Sequence, residues 1–228
     1  MAGGSSPRGI EIWLATPEAA DHFDPSRLVG RDHEEWTTLQ TARRRRDWAS
    51  SRALLDAAGV TRDLASSLSH SHGYAALALA PDSLNVGVDV EWLAPREFRG
   101  MANVAYSPAE CALLASLDDP RDLCATFYEL WTLKEAFAKA LRLPLVEALR
   151  QCRFVDADFD RRADIPTTQH WRATVFAPRP QLRLAMARVA DSPERVDAPF
   201  CTFEWPQPRT RDWIVIRDLA GGGGVRAW

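Results

Sequence analysis

The sequence contains little cysteine and no long apolar run. Its four cysteines form no Cys-x-x-Cys pair, which disfavours both a zinc ribbon and a disulfide-dense secreted scaffold. No stretch approaches the roughly 18 apolar residues that a membrane-spanning helix needs. The N-terminal segment lacks the apolar core of a secretory signal peptide, because Glu11 interrupts its first apolar run. We therefore expect a cytoplasmic protein with reduced thiols and no membrane partner.

The sequence also lacks an excess of charge of either sign. With 28 Lys and Arg against 31 Asp and Glu, its formal net charge is −3. This balance removes the global electrostatic reason to expect nucleic acid as a partner. The basic run at residues 42–48, "ARRRRDW", is typical of a solvated helix face. A nucleic-acid-binding helix built on Arg43–Arg46 is the alternative, and it would bind any duplex with a steep salt dependence.

Strand and helix signals are mixed along the chain. Residues 10–15 predict a strand, and residues 37–58 predict a helix that ends at Gly59. Two strand-like runs follow at residues 72–80 and 84–92, and the turn signal "PDS" between them predicts an antiparallel pair.

The second half of the chain opens with helix signals and continues with strand signals. Ser107 and Glu110 have the spacing of a capping box, and Asp119 is the predicted cap of a helix of about six turns. Pro144 prevents that helix from continuing. Short apolar runs then predict strands at 152–159, 170–177, 182–189, 200–205 and 212–217.

The run "NVGVDVEW", residues 85–92, places acidic residues on a valine-rich strand. Because side chains alternate along a strand, Gly87, Asp89 and Glu91 share one face and the valines share the other, core-facing side. Two like charges held this close repel each other unless a cation compensates them. Their oxygen ligands suit Mg²⁺, which commonly takes one or two carboxylates plus substrate phosphates. A solvated face of an edge strand is the alternative interpretation.

A third carboxylate is available on the long helix. In "LWTLKEAFAKAL" the spacing i, i+4, i+8 places Trp131, Glu135 and Lys139 on one stripe. Glu135 can therefore meet the acidic strand, with Lys139 one turn further on. A solvent-facing Glu–Lys pair is the alternative, although a tryptophan on the same stripe weakens it, since a fully exposed tryptophan is unusual.

Together these motifs resemble the paired signature of the 4′-phosphopantetheinyl transferases. "GVDVE" at residues 87–91 and "LWTLKEAFAKA" at 130–140 match its two halves in order. The spacing is similar to that of the larger, surfactin-synthetase-type branch, whose SHS and RxLL motifs resemble "SSLSHSHG" at 66–73 and "SRALL" at 51–55. The resemblance covers roughly residues 40–155.

The resemblance implies a holo-[acyl-carrier-protein] synthase type of activity. Such enzymes move the phosphopantetheine arm of coenzyme A to a serine of an apo acyl or peptidyl carrier protein and release 3′,5′-ADP. By similarity, Mg²⁺ is held by Asp89, Glu91 and Glu135. Glu135 is also the candidate base for the serine proton, and Lys139 balances charge on the phosphates. We expect a monomer that uses coenzyme A as a co-substrate and serves polyketide, peptide or fatty-acid synthesis.

The resemblance also implies a coenzyme A site and a fold. Ser69 and His70 match residues that contact the 3′-phosphate of coenzyme A. Arg52 together with one or two of the arginines in 43–46 is expected to bind the adenosine phosphates. A capped turn or a transition-metal site remains an alternative for His70 and His72, and His72 falls outside the motif match. The family fold is α+β, a pseudo-dimer of two similar halves, each a small antiparallel sheet packed with helices. We place these halves at residues 1–98 and 99–228, with an unassigned extension from about residue 200.

Two departures from the family pattern stand out. Ser67 occupies a position where the family usually has asparagine, and only 13 residues separate Leu55 from Ser69, so that a Gly-Lys-Pro element and its lysine are missing. The alternative hypothesis is therefore a degenerate member of the family that binds coenzyme A or a carrier protein without catalysis.

Overall fold

The chain folds around two β-sheets. The structure, a computed structural model, describes residues 9–60, 65–155, 162–207 and 209–222. In strand order, the first sheet consists of β2 (Ala65–Ser71), β3 (Tyr74–Ala80), β1 (Ile10–Ala15), β7 (Phe200–Trp205) and β8 (Arg209–Thr210). The second consists of β4 (Asn85–Trp92), β6 (Leu182–Ala190), β5 (His170–Ala177) and β9 (Ile214–Gly221). All neighbouring strands are antiparallel except β1 and β7, which are parallel.

Helices pack on the outer faces of both sheets. The helices are α1 (Gly30–Thr38), α2 (Ala42–Ala57), α3 (Phe98–Ala105), α4 (Pro108–Ala115), α5 (Pro120–Leu141), α6 (Leu145–Gln151) and α7 (Pro193–Val196). Two short 3-10 turns precede α1, at Pro17–His22 and Pro25–Arg27. Among the described helices, none has the length and apolar character needed to cross a membrane. The predicted α+β class, with two sheets that are each packed with helices, is confirmed.

A hydrophobic layer lies between the two sheets. Ile10, Ile12 and Leu14 of β1 pack there against the valines of β4 and against apolar residues of β6. The prediction that Val86, Val88 and Val90 face the core is confirmed, since they are 7%, 0% and 1% exposed. The opposite face of β4, which carries the acidic residues, is therefore turned toward the helices.

The helix α5 spans 22 residues and lies across β4 and β6. Its predicted cap is confirmed, because the Asp119 side chain accepts a hydrogen bond from the Arg121 amide at 2.7 Å. The helix ends at Leu141, where Arg142 adopts a left-handed conformation two residues before Pro144. The predicted capping box of α4 is also present, with Ser107 and Glu110 each accepting a hydrogen bond from the other's amide.

The predicted antiparallel pairing of residues 72–80 with 84–92 is wrong. The strand β3 already pairs with β2 on one side and β1 on the other, so it has no free edge for β4. The true hairpin joins β2 to β3 through His72 and Gly73, both of which have the positive φ values that a tight two-residue turn requires. After the turn at Pro81, the chain crosses to the second sheet, where β4 pairs with β6.

The predicted helix at 37–58 begins later than expected. Thr41 is its N-cap and accepts a hydrogen bond from the Arg44 amide, so α2 starts at Ala42. Residues 30–38 form the separate helix α1. The predicted end is confirmed, because Gly59 follows the helix with a φ of 63°.

The residues from about 200 onward, unassigned from sequence, contribute to both sheets. The strand β7 pairs with β1 in the first sheet, and β9 pairs with β5 in the second. The division of the chain at residue 98 stays a prediction. Of the predicted strand at 152–159, Arg153 forms an isolated bridge with Asp164, and residues 156–161 lie outside the described part. Residues 208 and 223–228 of the extension also lie outside it.

Candidate active site

Gly87 allows α5 to approach β4 unusually closely. A Cβ atom at Gly87 would lie 1.9 Å from the carbonyl oxygen of Ala136 and 2.6 Å from the amide nitrogen of Ala140. Both are backbone atoms of α5, so no side-chain rotation could relieve such a clash. The absence of a side chain therefore lets the helix backbone rest on the strand and brings Glu135 up to its acidic face.

Asp89, Glu91 and Glu135 form what we call the carboxylate cluster. One oxygen atom from each of the three side chains lies within 4.8 Å of the others. Asp89 is buried, and the two glutamates are half-buried. The structure thus brings together the three carboxylates that the sequence singled out, and their role as metal ligands stays a prediction.

The two glutamates of the cluster have strongly raised pKa values. Burial raises the pKa of Glu91 to about 7, the charge of Asp89 adds to this effect, and the Ser71 hydroxyl opposes it. Burial and the Asp89 charge likewise raise the pKa of Glu135 to about 7, against the opposing charge of Lys139. The protein thus holds Glu91 and Glu135 where their charged forms are disfavoured, and a bound cation would relieve that cost.

Lys139 contacts the cluster directly. Its Nζ donates hydrogen bonds to Asp89 Oδ1 at 2.9 Å and to the Val88 carbonyl at 2.8 Å. The contact confirms that Lys139 and Glu135, one turn apart on α5, face the same strand. One ammonium, paired with Asp89, beside three carboxylates leaves the cluster short of positive charge.

The residues present fit a divalent cation. The Oδ2 atom of Asp89 is buried and has no hydrogen-bond partner among the described residues. A buried carboxylate oxygen without a donor is costly, and this oxygen belongs to the cluster. All three side chains offer oxygen atoms, which Mg²⁺ prefers as ligands.

Two of the residues predicted to bind coenzyme A lie on opposite faces of β2. Ser69 is buried, and its hydroxyl donates a hydrogen bond to Asp89 Oδ1 at 2.6 Å. His70 is exposed on the other face, next to Ala75 of β3 in the strand register. The structure therefore brings Ser69 to the carboxylate cluster and leaves His70 in solvent.

Arg52 contacts α1 instead of the cluster. Its Nη2 donates to Asp32 at 2.8 Å and lies 3.7 Å from Glu35, and its guanidinium stacks over Trp48 at 4.6 Å from the ring centre. These contacts tie α2 to α1. The predicted role of Arg52 in binding coenzyme A stays a prediction.

A basic pocket lies beside the β2–β3 turn. It has a volume of about 380 Å³ and is lined by Arg43, Arg46, His72 and Gly73, together with Ala42 and Asp47. Burial lowers the pKa of His72, and the nearby Arg43 lowers it further. The Nδ1 atom of His72 lies 3.1 Å from the Ser71 hydroxyl, which in turn contacts Glu91. The pocket therefore adjoins the carboxylate cluster through Ser71.

Sequence reasoning missed Ser71 and placed His72 outside the motif match. The signal for Ser71 was present, because Ser67, Ser69 and Ser71 alternate along β2 and must share a face. The signal for His72 was weaker. Its position at a left-handed turn cannot be read from the residue type, because glycine and asparagine are the usual residues there.

Comparison with known proteins points to one superfamily. Residues 85–187, just under half of the chain, match the sequence model of the 4′-phosphopantetheinyl transferase superfamily. The carboxylate cluster and Lys139 all lie inside this region. The match supports the resemblance drawn from the motifs and leaves the branch within the superfamily open.

Three curated proteins that match this chain have 4′-phosphopantetheinyl transferase in their names. The protein slr0495 of Synechocystis sp., assigned as a 4′-phosphopantetheinyl transferase, is 31% identical over 108 residues, which are 46% of this chain and 43% of that protein. The 4′-phosphopantetheinyl transferases AcpT of Salmonella typhimurium and Salmonella typhi are 40% and 41% identical over 73 residues, which are 32% of this chain and 37% of each of those proteins. The matched stretches thus span less than half the length of these relatives.

Proposed function

We propose that this chain, which carries the signature of the 4′-phosphopantetheinyl transferase superfamily, transfers the phosphopantetheine arm of coenzyme A to a carrier protein. The observation that carries the proposal is the carboxylate cluster, with Lys139 beside it, inside the region that matches the family. The acceptor is a serine of an apo acyl or peptidyl carrier protein, and the second product is 3′,5′-ADP.

The reaction replaces a phosphoanhydride bond with a phosphate ester bond. The serine oxygen of the carrier forms a bond to the phosphorus that bears the pantetheine arm, and the bond from that phosphorus to the bridging oxygen of the pyrophosphate breaks. The bridging oxygen leaves with the electron pair as part of 3′,5′-ADP. Such transfers depend mainly on positioning and on stabilisation of charge.

The cluster residues would hold Mg²⁺ through Asp89, Glu91 and Glu135. When bound, the ion would supply charge neutralisation for the pyrophosphate oxygens. Lys139 carries a second positive charge at the same place and would stabilise the leaving phosphate. Glu135, which the family resemblance also makes the candidate base, would accept the serine proton.

For the phosphates of coenzyme A we propose the basic pocket at the β2–β3 turn. Of the four arginines in 43–46, Arg43 and Arg46 line it. Guanidinium groups bind phosphate strongly through charge-assisted hydrogen bonds, and His72 adds a third nitrogen-bearing side chain. His70 lies on the exposed face of β2 and Arg52 is paired with α1, so both side chains would have to move to contact these phosphates.

We propose that the carrier docks on the groove between α3 and α4. The groove has a volume of about 340 Å³ and is lined in part by Phe98, Ala102, Leu114 and Leu123. It directly follows the acidic strand in the chain, and its lining is largely apolar. We further propose a cytoplasmic monomer of the surfactin-synthetase-type branch.

A transfer assay tests the proposal. Purified protein is mixed with apo carrier protein, coenzyme A and Mg²⁺, and the carrier is weighed by mass spectrometry. We expect the mass of one phosphopantetheine arm to be added by the wild type and by Asp122→Asn, an exposed acid on the same helix that serves as the control. We expect no transfer by Asp89→Asn or Glu135→Gln. A wild type that binds coenzyme A but modifies none of several apo carriers would instead support the non-catalytic alternative.

A further inference from the structure

Strand β2 meets the edge of β4 through side chains instead of a backbone ladder. The two strands are the edge strands of different sheets. Ser67, Ser69 and Ser71 stand on one face of β2, and all three are buried. Each contacts the stretch from Val88 to Trp92, in the same order along both strands. We call this row of contacts the serine seam.

The three serines of the seam have different partners. Ser67 accepts a hydrogen bond from the Val88 amide at 2.9 Å and, within the described part of the chain, contacts no carboxylate. Ser69 donates to Asp89 Oδ1 at 2.6 Å. Ser71 donates to Glu91 Oε2 at 2.7 Å and also accepts from the Trp92 amide at 3.3 Å. Two of the three hydroxyls therefore hold acidic side chains of the cluster.

We propose that Ser69 and Ser71 are positioning residues that fix the Asp89 and Glu91 carboxylates for a divalent cation. This inference rests on the proposed function for the identity of the ion as Mg²⁺. Short hydrogen bonds from a hydroxyl to a carboxylate are among the stronger ones in proteins, and such outer contacts orient ligands for a metal. At Asp89, Ser69 and Lys139 both bind Oδ1, which leaves the buried Oδ2 without a partner among the described residues.

The assignment gives Ser69 a role different from the one that the sequence resemblance implies. A serine hydroxyl has one hydrogen to donate. In this structure that hydrogen points to Asp89, so it is not available for a phosphate oxygen, which can only accept. Ser69 therefore positions a carboxylate of the cluster, and the arginines and His72 of the basic pocket would bind the phosphates.

Direct measurement of cation binding tests this role. Mg²⁺ is titrated calorimetrically into the full chain without coenzyme A or carrier protein, for the wild type, Ser69→Ala, Ser71→Ala and Ser67→Ala. We expect each of the first two substitutions to weaken Mg²⁺ binding by roughly 10- to 100-fold. Ser67→Ala is the matched control, because it removes a buried hydroxyl from the same seam without touching a carboxylate, and it should leave the affinity unchanged.

Conservative replacements separate positioning from packing. Ser69→Thr and Ser71→Thr keep the hydroxyl on a strand, where threonine fits well, and should restore much of the affinity. Equal losses of Mg²⁺ affinity in Ser67→Ala and Ser71→Ala would overturn the inference. So would a Ser69→Ala variant that binds Mg²⁺ as the wild type does but binds coenzyme A more weakly. If the Mg²⁺ affinities of the wild type and the serine variants differ as expected but the wild type modifies no carrier, only the proposed function is contradicted.

Discussion

At the scale of single residues, Lys139 is the charge that balances the carboxylate cluster. Its ammonium contacts Asp89 and is 30% exposed, so it is open to a bound phosphate as well. The other lysine of the same helix has a structural role. Lys134, five residues earlier and also part of the motif, is fully buried and points away from the cluster into an ion pair with Glu110.

Replacement of Lys139 by methionine should lower kcat for transfer by on the order of 10²-fold, because charge that develops on the leaving phosphate loses a partner. The measurement is steady-state transfer to an apo carrier. Lys139→Arg keeps the charge and should retain more of the rate. A kcat for Lys139→Met close to that of the wild type would contradict the assigned role.

Replacement of Lys134 by methionine should instead destabilise the fold. Its Nζ donates to Glu110 at 2.9 Å and to the Leu149 and Cys152 carbonyls, all of them buried, so its loss leaves an uncompensated charge. Removing one partner of a buried ion pair costs about 3–5 kcal/mol. Urea unfolding measures this cost, and the double variant Lys134→Met, Glu110→Gln should recover part of it. An unchanged unfolding midpoint for Lys134→Met would show that the pair is not needed.

The sequence predicted the residues of the cluster better than their supporting contacts. Strand alternation placed Gly87, Asp89 and Glu91 on one face, and helical spacing placed Glu135 with Lys139. The hydrogen bonds from Ser69 and Ser71 could not be predicted, because they depend on which strand edges meet. Glu110 was correctly predicted to complete a capping box, but its second role as the partner of Lys134 depends on the packing of α4 against α5.

At the scale of secondary-structure elements, the site depends on the contact between β4 and α5. Both ends of α5 were predictable, since the cap at Asp119 and the stop at Pro144 act locally, whereas the start of α2 was predicted too early. The partner of β4 was not, because an alternating apolar pattern is satisfied equally by any neighbouring strand. A turn signal at Pro81 marks a change of direction, and here the chain changes sheets as well.

Gly87→Ala should separate β4 from α5. The added methyl group would overlap the Ala136 carbonyl oxygen, and relief requires the helix backbone to move. Overpacking of this kind costs typically 1–3 kcal/mol, and the movement would withdraw Glu135 from Asp89. Mg²⁺ affinity and urea unfolding are measured together. Val86→Ala, on the other face of β4, is the control and should lower stability without a matching loss of Mg²⁺ affinity. Normal Mg²⁺ binding by Gly87→Ala would contradict this account.

At the scale of the whole molecule, the two sheets are joined by polar contacts as well as by the apolar layer. The serine seam joins them beside the cluster. Elsewhere, Arg179 in the β5–β6 turn of the second sheet donates to both carboxylate oxygens of Glu204 in β7 of the first sheet, at 2.7 and 3.1 Å. This hydrogen bonding lowers the pKa of Glu204 from its usual 4.5.

The Arg179–Glu204 contact should make stability depend on pH on the acidic side. Because the pKa of Glu204 is lower in the folded than in the unfolded chain, its contribution is full above about pH 4.5 and is lost as the pH falls through the folded value. Urea unfolding is measured from about pH 7 down to about pH 3, and the free energy of unfolding should fall less in Glu204→Gln than in the wild type over this range. The exposed Glu147→Gln variant serves as the control. Identical pH profiles for all three proteins would refute the prediction.

The central claim is that one strand and one distant helix together build a single cation site. It is tested most directly by calorimetric titration of Mg²⁺ into the wild type, Glu135→Gln and the control Asp122→Asn, an exposed acid on the same helix. We expect one bound ion in the wild type and the control, and an affinity lower by at least about tenfold in Glu135→Gln, because it loses a charged ligand. The same affinity in all three proteins, or no binding by the wild type, would contradict the account.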